Sequence, residues 1–258
     1  MMLRKQLLTE NDCFKAGRTI TPKGVMVHST GCNNPNLRRY VAPNDGLLGE
    51  PAMANWNQGG ILKCPHAFIG KLADGSVATY QTLNWCTRGW HAGSGRKGSA
   101  NDTHISFEIC EDALADKKYF DAVYREAVEL TAYLCQEFNL DPLEDGVVIC
   151  HAEGAERGIA SNHGDVFHWF PKFDKNMAIF RSDVKKEMEE KDMTEARVRE
   201  IIRDELQKIE TERADLAPSP WAKDLLAEAK AAGITDGTRP QSPATRQEVA
   251  LMVLKGTK

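Results

Sequence analysis

Three short apolar runs carry a histidine at the end or a carboxylate near the centre, and that combination restricts the fold more than any other feature of the chain. Lys23-Gly24-Val25-Met26-Val27-His28-Ser29-Thr30 is apolar until it reaches an imidazole and two hydroxyls. His104-Ile105-Ser106-Phe107-Glu108-Ile109-Cys110 alternates, with Ile105, Phe107 and Ile109 on one face and Ser106, Glu108 and Cys110 on the other. Gly146-Val147-Val148-Ile149-Cys150 reads as a buried strand and delivers His151 to the start of a loop. Glu108 in mid-strand demands a reason, because a buried carboxylate without a partner is expensive. Loops at strand ends are where a rigid scaffold presents chemistry.

Between these runs the pattern supplies the rest of a domain. Cys64 to Gly70 and Val77 to Gln81 flank Asp74-Gly75, a hairpin signal. Phe120 to Phe138 places Val123, Ala127, Leu130, Leu134 and Phe138 three or four residues apart, the spacing of an amphipathic helix. The expected fold is α/β, a mixed central β-sheet flanked by helices, with a small helical C-terminal module. Trp169-Phe170, beside Phe167 and Phe173, reads as core.

A net charge of -4 and a pI of 6.0 argue against a nucleic-acid partner held through a basic face. No run approaches the eighteen or so apolar residues that span a bilayer, so no membrane partner is expected. The start, Met1 to Gly17, lacks the apolar core of a secretory signal. The seven cysteines are odd in number and form no CxxC pair, which favours reduced thiols and a cytoplasmic site of synthesis.

From about Arg181 the composition turns charged. Val198, Ile202, Leu206 and Ile209 mark one side of a helix, and Ala217-Pro218-Ser219-Pro220 breaks it. Two short helices are expected beyond, Trp221 to Ala232 and Thr245 to Lys255. The expected divisions are 1–184, a charged helical connector 185–218, and a terminal module 219–258.

Neutral imidazole is a common zinc ligand, and catalytic zinc takes three protein ligands and keeps one position open. His28 and His151 end apolar strands, and His163, Asp165 or His168 could complete such a set. Zinc lowers the pKa of bound water toward about 7 and polarises a carbonyl.

Val25 to Thr30, His66-Ala67-Phe68, His104 to Cys110, and Cys150-His151-Ala152-Glu153-Gly154 together resemble, in this order, the zinc-dependent N-acetylmuramoyl-L-alanine amidases related to peptidoglycan recognition proteins. The phage and prophage endolysin branch fits best, and the resemblance runs over about residues 20 to 185. It implies one zinc ion per catalytic domain, bacterial peptidoglycan as partner, and cleavage between N-acetylmuramic acid and L-alanine. His28 and His151 match two zinc ligands, Glu108 the carboxylate that activates water, and Asp165 the third ligand. The family places Lys two residues before that ligand; here His163 stands there and takes the role of stabilising the oxyanion. With histidine in that role, activity should fall at high pH as the ring loses its proton. The spacing from His151 to Asp165 is longer than the family's, and His168 remains the competing third ligand. His66, Trp90 and His91 are assigned to the substrate groove, with a purely structural His66 weighed equally.

The resemblance also implies accumulation in the host cytoplasm before release to the wall. A non-catalytic peptidoglycan receptor and a cytosolic wall-recycling amidase are the alternatives. Trp221-Ala222, Ala231 to Thr238 and Pro243 to Ala250 resemble one S-layer homology repeat, a wall-binding module. A single copy implies weak binding or a homo-oligomer that gains avidity through the C-terminal segment. Glu189-Glu190-Lys191-Asp192 before Met193 would be encoded by purine-rich codons, and suggests an internal start that yields a free tail fragment.

Overall fold

The computed structural model describes residues 1–257; the side chains of 191–196, and with them the suggested internal start at Met193, lie outside the described residues, as does Lys258. The chain divides into two units, Met1–Glu190 and Lys191–Lys258.

In chain order the first unit contains β1 (Leu3–Lys5), α1 (Asp12–Lys15), β2 (Gly24–Ser29), β3 (Ala67–Lys71), β4 (Val77–Gln81), β5 (His104–Ile109), α2 (Lys117–Glu137), β6 (Val148–Cys150), α3 (His151–Arg157) and the start of α4 (Met177–Asp215). The six strands form one sheet in the order β1-β4-β3-β5-β2-β6. Its pairs are parallel except β3 with β4, the hairpin expected at Asp74-Gly75. Gly75 takes a φ of +85°, which a residue with a Cβ adopts only under strain. The mixed α/β sheet is thus the one the strand and helix periodicities imply. β1 falls in a stretch that reads as merely polar; three residues at an edge are too few for a periodic signal.

Alternation decides which face each side chain meets. Val25 and Val27 of β2, Ile105, Phe107 and Ile109 of β5, and Val148 and Cys150 of β6 join one core with Phe120, Val123, Ala127, Leu130 and Leu134 of α2. Trp169, Phe170 and Phe180 close the same core. The opposite face carries Met26 and Ile149, packed with Ala92, Ala100 and Ala160. His28 therefore leaves β2 on the side away from α2, two residues beyond Met26. Glu108 does the same two residues beyond Ser106.

His151 opens α3 directly and not a loop. The backbone N–H of Cys150 donates to Glu153 Oε2 at 3.1 Å, closing the helix start, and Arg181 reaches both Glu153 and the Val148 carbonyl. Gly154 lets this helix sit on β2: a Cβ there would stand 2.6 Å from Met26 Cε.

In the second unit, α5 (Lys223–Ala231) and α6 (Arg246–Gly256) follow the α4 helix, near the expected bounds. Thr245 caps α6 by accepting from the Glu248 N–H, while Glu248 accepts from the Thr245 N–H. No side chain of α5 or α6 is buried. Among the described residues, no helix is long and apolar enough to cross a membrane.

Candidate metal centre and groove

β2, β5 and β6 run parallel, so their carboxyl ends meet at one edge of the sheet, the usual place for a site in an open α/β sheet. His28 arrives from β2, His151 from the β6–α3 junction, and Asp165 from the segment that folds back across them. His28 Nδ1 lies 3.1 Å from Asp165 Oδ2 and 3.1 Å from His151 Nδ1, and the last two atoms are 3.8 Å apart. Three donors bound tetrahedrally at about 2.0–2.1 Å stand about 3.3 Å from one another. The observed triangle fits that ion, and its donor chemistry, two imidazoles and a carboxylate, fits zinc.

The other ring nitrogens fix which atoms are free to bind. His151 Nε2 is 3.3 Å from Ser161 Oγ, whose own hydroxyl donates to the Ala92 carbonyl, so His151 Nε2–H is the donor and Nδ1 keeps its lone pair. Burial, with the His28 ring adding to it, pushes His151 down to about 4, so its imidazole is neutral near pH 7. His28 differs. Burial opposes its protonation, but the Asp165 hydrogen bond and the Glu108 and Asp165 charges outweigh this and raise its pKa. Asp165 is held below the usual carboxylate range, because its pairing with His28 outweighs burial.

Glu108 stands opposite His28 in the β2–β5 register. Its Oε2 is buried without a hydrogen-bond partner. Burial pushes the carboxyl up to about 7; His28 pulls it back, and Asp165 and Glu111 add to the rise. A carboxylate in that range can both take and return a proton near neutrality.

These residues line one end of a 360 Å³ groove whose walls include Tyr40, Trp56, Lys63 and Trp90. His163 lies in the same groove, its ring centroid 4.6 Å from that of His151 and its Nδ1 3.1 Å from Ser161 Oγ. Trp90 is half exposed and His91 lies beside His28. His66, expected to line the groove, does not. It is wholly buried beneath it, accepting the Ser106 N–H at Nδ1 (3.0 Å) and donating from Nε2 to the Thr87 carbonyl (2.7 Å). Its strand-start position turns the ring inward, onto the backbone. His168 stands outside the donor triangle and donates to Glu111 Oε1 at 2.9 Å; the same oxygen accepts the Gly31 N–H.

Ser161, Asn101 and the walls Tyr40, Trp56 and Lys63 are absent from the sequence reading. They come from loops and, for Asn101, a single 3-10 turn, where no periodicity marks which side chains turn inward. Asn101, a buried amide in a Gly- and Ser-rich stretch, holds the His91 and Ala92 N–H groups at 2.8 and 2.9 Å.

A mixed sheet thus presents a buried carboxylate beside two histidines and an aspartate at the end of an open groove. The chain belongs to the N-acetylmuramoyl-L-alanine amidase family: residues 18–166 match its Amidase_2 model. It is similar to the solution structure of the PlyG catalytic domain, at 18% identity over 73% of this chain and 96% of that one, with a TM-score of 0.49. It is also similar to the Staphylococcus aureus hydrolase AmiA in complex with its ligand (14% identity, 72% of this chain and 82% of that one, TM-score 0.48). A mutant endolysin from Bacillus subtilis matches at 21% identity, over 71% of this chain and 99% of that one, with a TM-score of 0.46. No curated protein matches the chain.

Proposed function

We propose that the chain is a zinc-dependent endolysin that hydrolyses the amide between N-acetylmuramic acid and the L-alanine of the peptidoglycan stem. The observation that carries this reading is the triangle of His28 Nδ1, His151 Nδ1 and Asp165 Oδ2 beside the unpartnered Glu108 Oε2. His28, His151 and Asp165 would hold the zinc, which when bound supplies Lewis acidity toward the scissile carbonyl and the attacking water.

The remaining work falls to the protein. Glu108 takes a proton from the attacking water and returns it to the leaving amine as the carbon–nitrogen bond breaks. His163, whose ring lies against that of His151, would donate to the oxygen on which charge develops. Trp56 and Trp90 offer flat apolar walls for sugar and peptide. The second unit is assigned to wall binding, with a groove between α5 and α6 lined by Ile234, Asp236, Arg239 and Met252. Any assembly of chains through that unit would raise avidity.

The test is turbidity loss of purified bacterial walls, with and without a chelator, with new amino termini identified in the soluble product. The expected result is release of L-alanine amino termini that stops on chelation and returns with zinc. Binding of walls without cleavage would favour a receptor. Cleavage of soluble muropeptides but not of intact walls would favour a recycling amidase.

A further inference from the structure

We propose that His91 is a positioning residue for His28, fixing the ring so that Nδ1 faces His151 and Asp165. This inference rests on the metal reading above. His91 Nδ1 lies 3.0 Å from His28 Nε2, and the two rings meet edge to face at 5.1 Å between centroids. A shared contact between two ring nitrogens needs one proton and one lone pair. His28 Nδ1 is the nitrogen that faces the other two donors, so His28 carries its proton on Nε2 when Nδ1 binds a metal. His91 Nδ1 must then be the acceptor, and the His91 proton sits on Nε2.

His91 Nε2 is buried with no partner at full hydrogen-bond geometry, and the His104 backbone acts on this ring as a hydrogen-bond acceptor, which suits a proton on Nε2. The backbone around His91 is itself held. Asn101 Oδ1 accepts the N–H of both His91 and Ala92, and Asn101 Nδ2 donates to the Gly93 carbonyl at 3.0 Å. His28 thus has the same support as His151, whose Nε2–H donates to Ser161. A ligand histidine whose second nitrogen is tethered keeps its tautomer and orientation, and losing such a tether costs about 10- to 100-fold in metal affinity.

The experiment measures zinc affinity by chelator competition in the full chain, for wild type, His91→Phe and His91→Asn. Phenylalanine keeps a ring and removes the acceptor; asparagine puts an oxygen acceptor near the place of Nδ1. The expected result is a loss of about 10- to 100-fold for His91→Phe, with most of it recovered in His91→Asn. Imidazole ¹⁵N shifts of the zinc-loaded wild type should show His28 protonated at Nε2 and His91 unprotonated at Nδ1. Thermal unfolding of the zinc-free variants controls for folding, and the wild-type shifts stand even if His91→Phe fails to fold. Unchanged zinc affinity in a folded His91→Phe, with only KM for wall fragments altered, overturns the proposal and makes His91 a substrate contact. A wild type that binds no zinc overturns the metal reading and this inference with it.

Discussion

His28 and Glu108 are register partners on adjacent parallel strands, so the ring and the carboxylate leave the same face of the sheet side by side. Two residues 80 positions apart in sequence thereby become neighbours through backbone pairing alone. Removing the carboxylate should stop proton transfer and leave the donor triangle intact. Glu108→Gln is expected to lose about 10²- to 10⁴-fold in kcat while binding zinc normally. Wild-type turnover in that variant would remove Glu108 from the mechanism.

Asp165 and His168 compete for the same role in the sequence, and the geometry separates them. Asp165→Ala should lose zinc, because it deletes one corner of the triangle. His168→Ala should keep zinc and lose about 1 kcal/mol of stability, since Glu111 still accepts from Gly31 and His168 is itself partly exposed. Metal content of the two purified variants, measured side by side, checks this; the opposite pattern makes His168 the ligand.

His66 gives the first unit an acid limb. Burial pushes it down to about 4, against about 6.5 when unfolded, so below pH 6.5 the unfolded chain takes up a proton that the folded chain refuses. Stability is unaffected by this group above that pH and falls as pH drops from about 6.5 to about 4, by about 3 kcal/mol in total. Denaturant midpoints across that range should flatten in His66→Gln relative to wild type. Parallel curves would show that another group carries the limb.

Zinc should also act on folding. The three proposed donors come from β2, the start of α3 and the segment carrying Asp165, and an ion that binds only the folded arrangement would stabilise it by mass action, by about 4 kcal/mol at a thousandfold excess over Kd. A thermal scan with and without zinc should show an upward shift of the first unit's transition. The shift should vanish in Asp165→Ala.

Leu130 sits in the middle of α2 against the sheet and is fully buried. Leu130→Ala should cost about 2–5 kcal/mol through lost burial and the cavity left behind. Equilibrium unfolding in urea measures it, and a change under about 1 kcal/mol would mean the site collapses around the smaller side chain.

Much of this protein was decided by residue order alone. The alternation in His104 to Cys110, the three-and-four spacing of α2 and the Asp74-Gly75 turn specify a mixed α/β sheet, because periods of 2 and 3.6 are local properties of the backbone. The same alternation places His28 and Glu108 on the face away from α2. Which residues surround them could not be read that way. Ser161, Tyr40, Trp56 and Lys63 come from loops and Asn101 from a single 3-10 turn, and their inward turn depends on packing with partners far along the chain. For the same reason His66 and His91 look alike in sequence, each on the approach to the groove. Only tertiary structure commits the first to the Ser106 and Thr87 backbone and the second to the His28 ring, because a hydrogen bond between distant segments is set by where the chain returns.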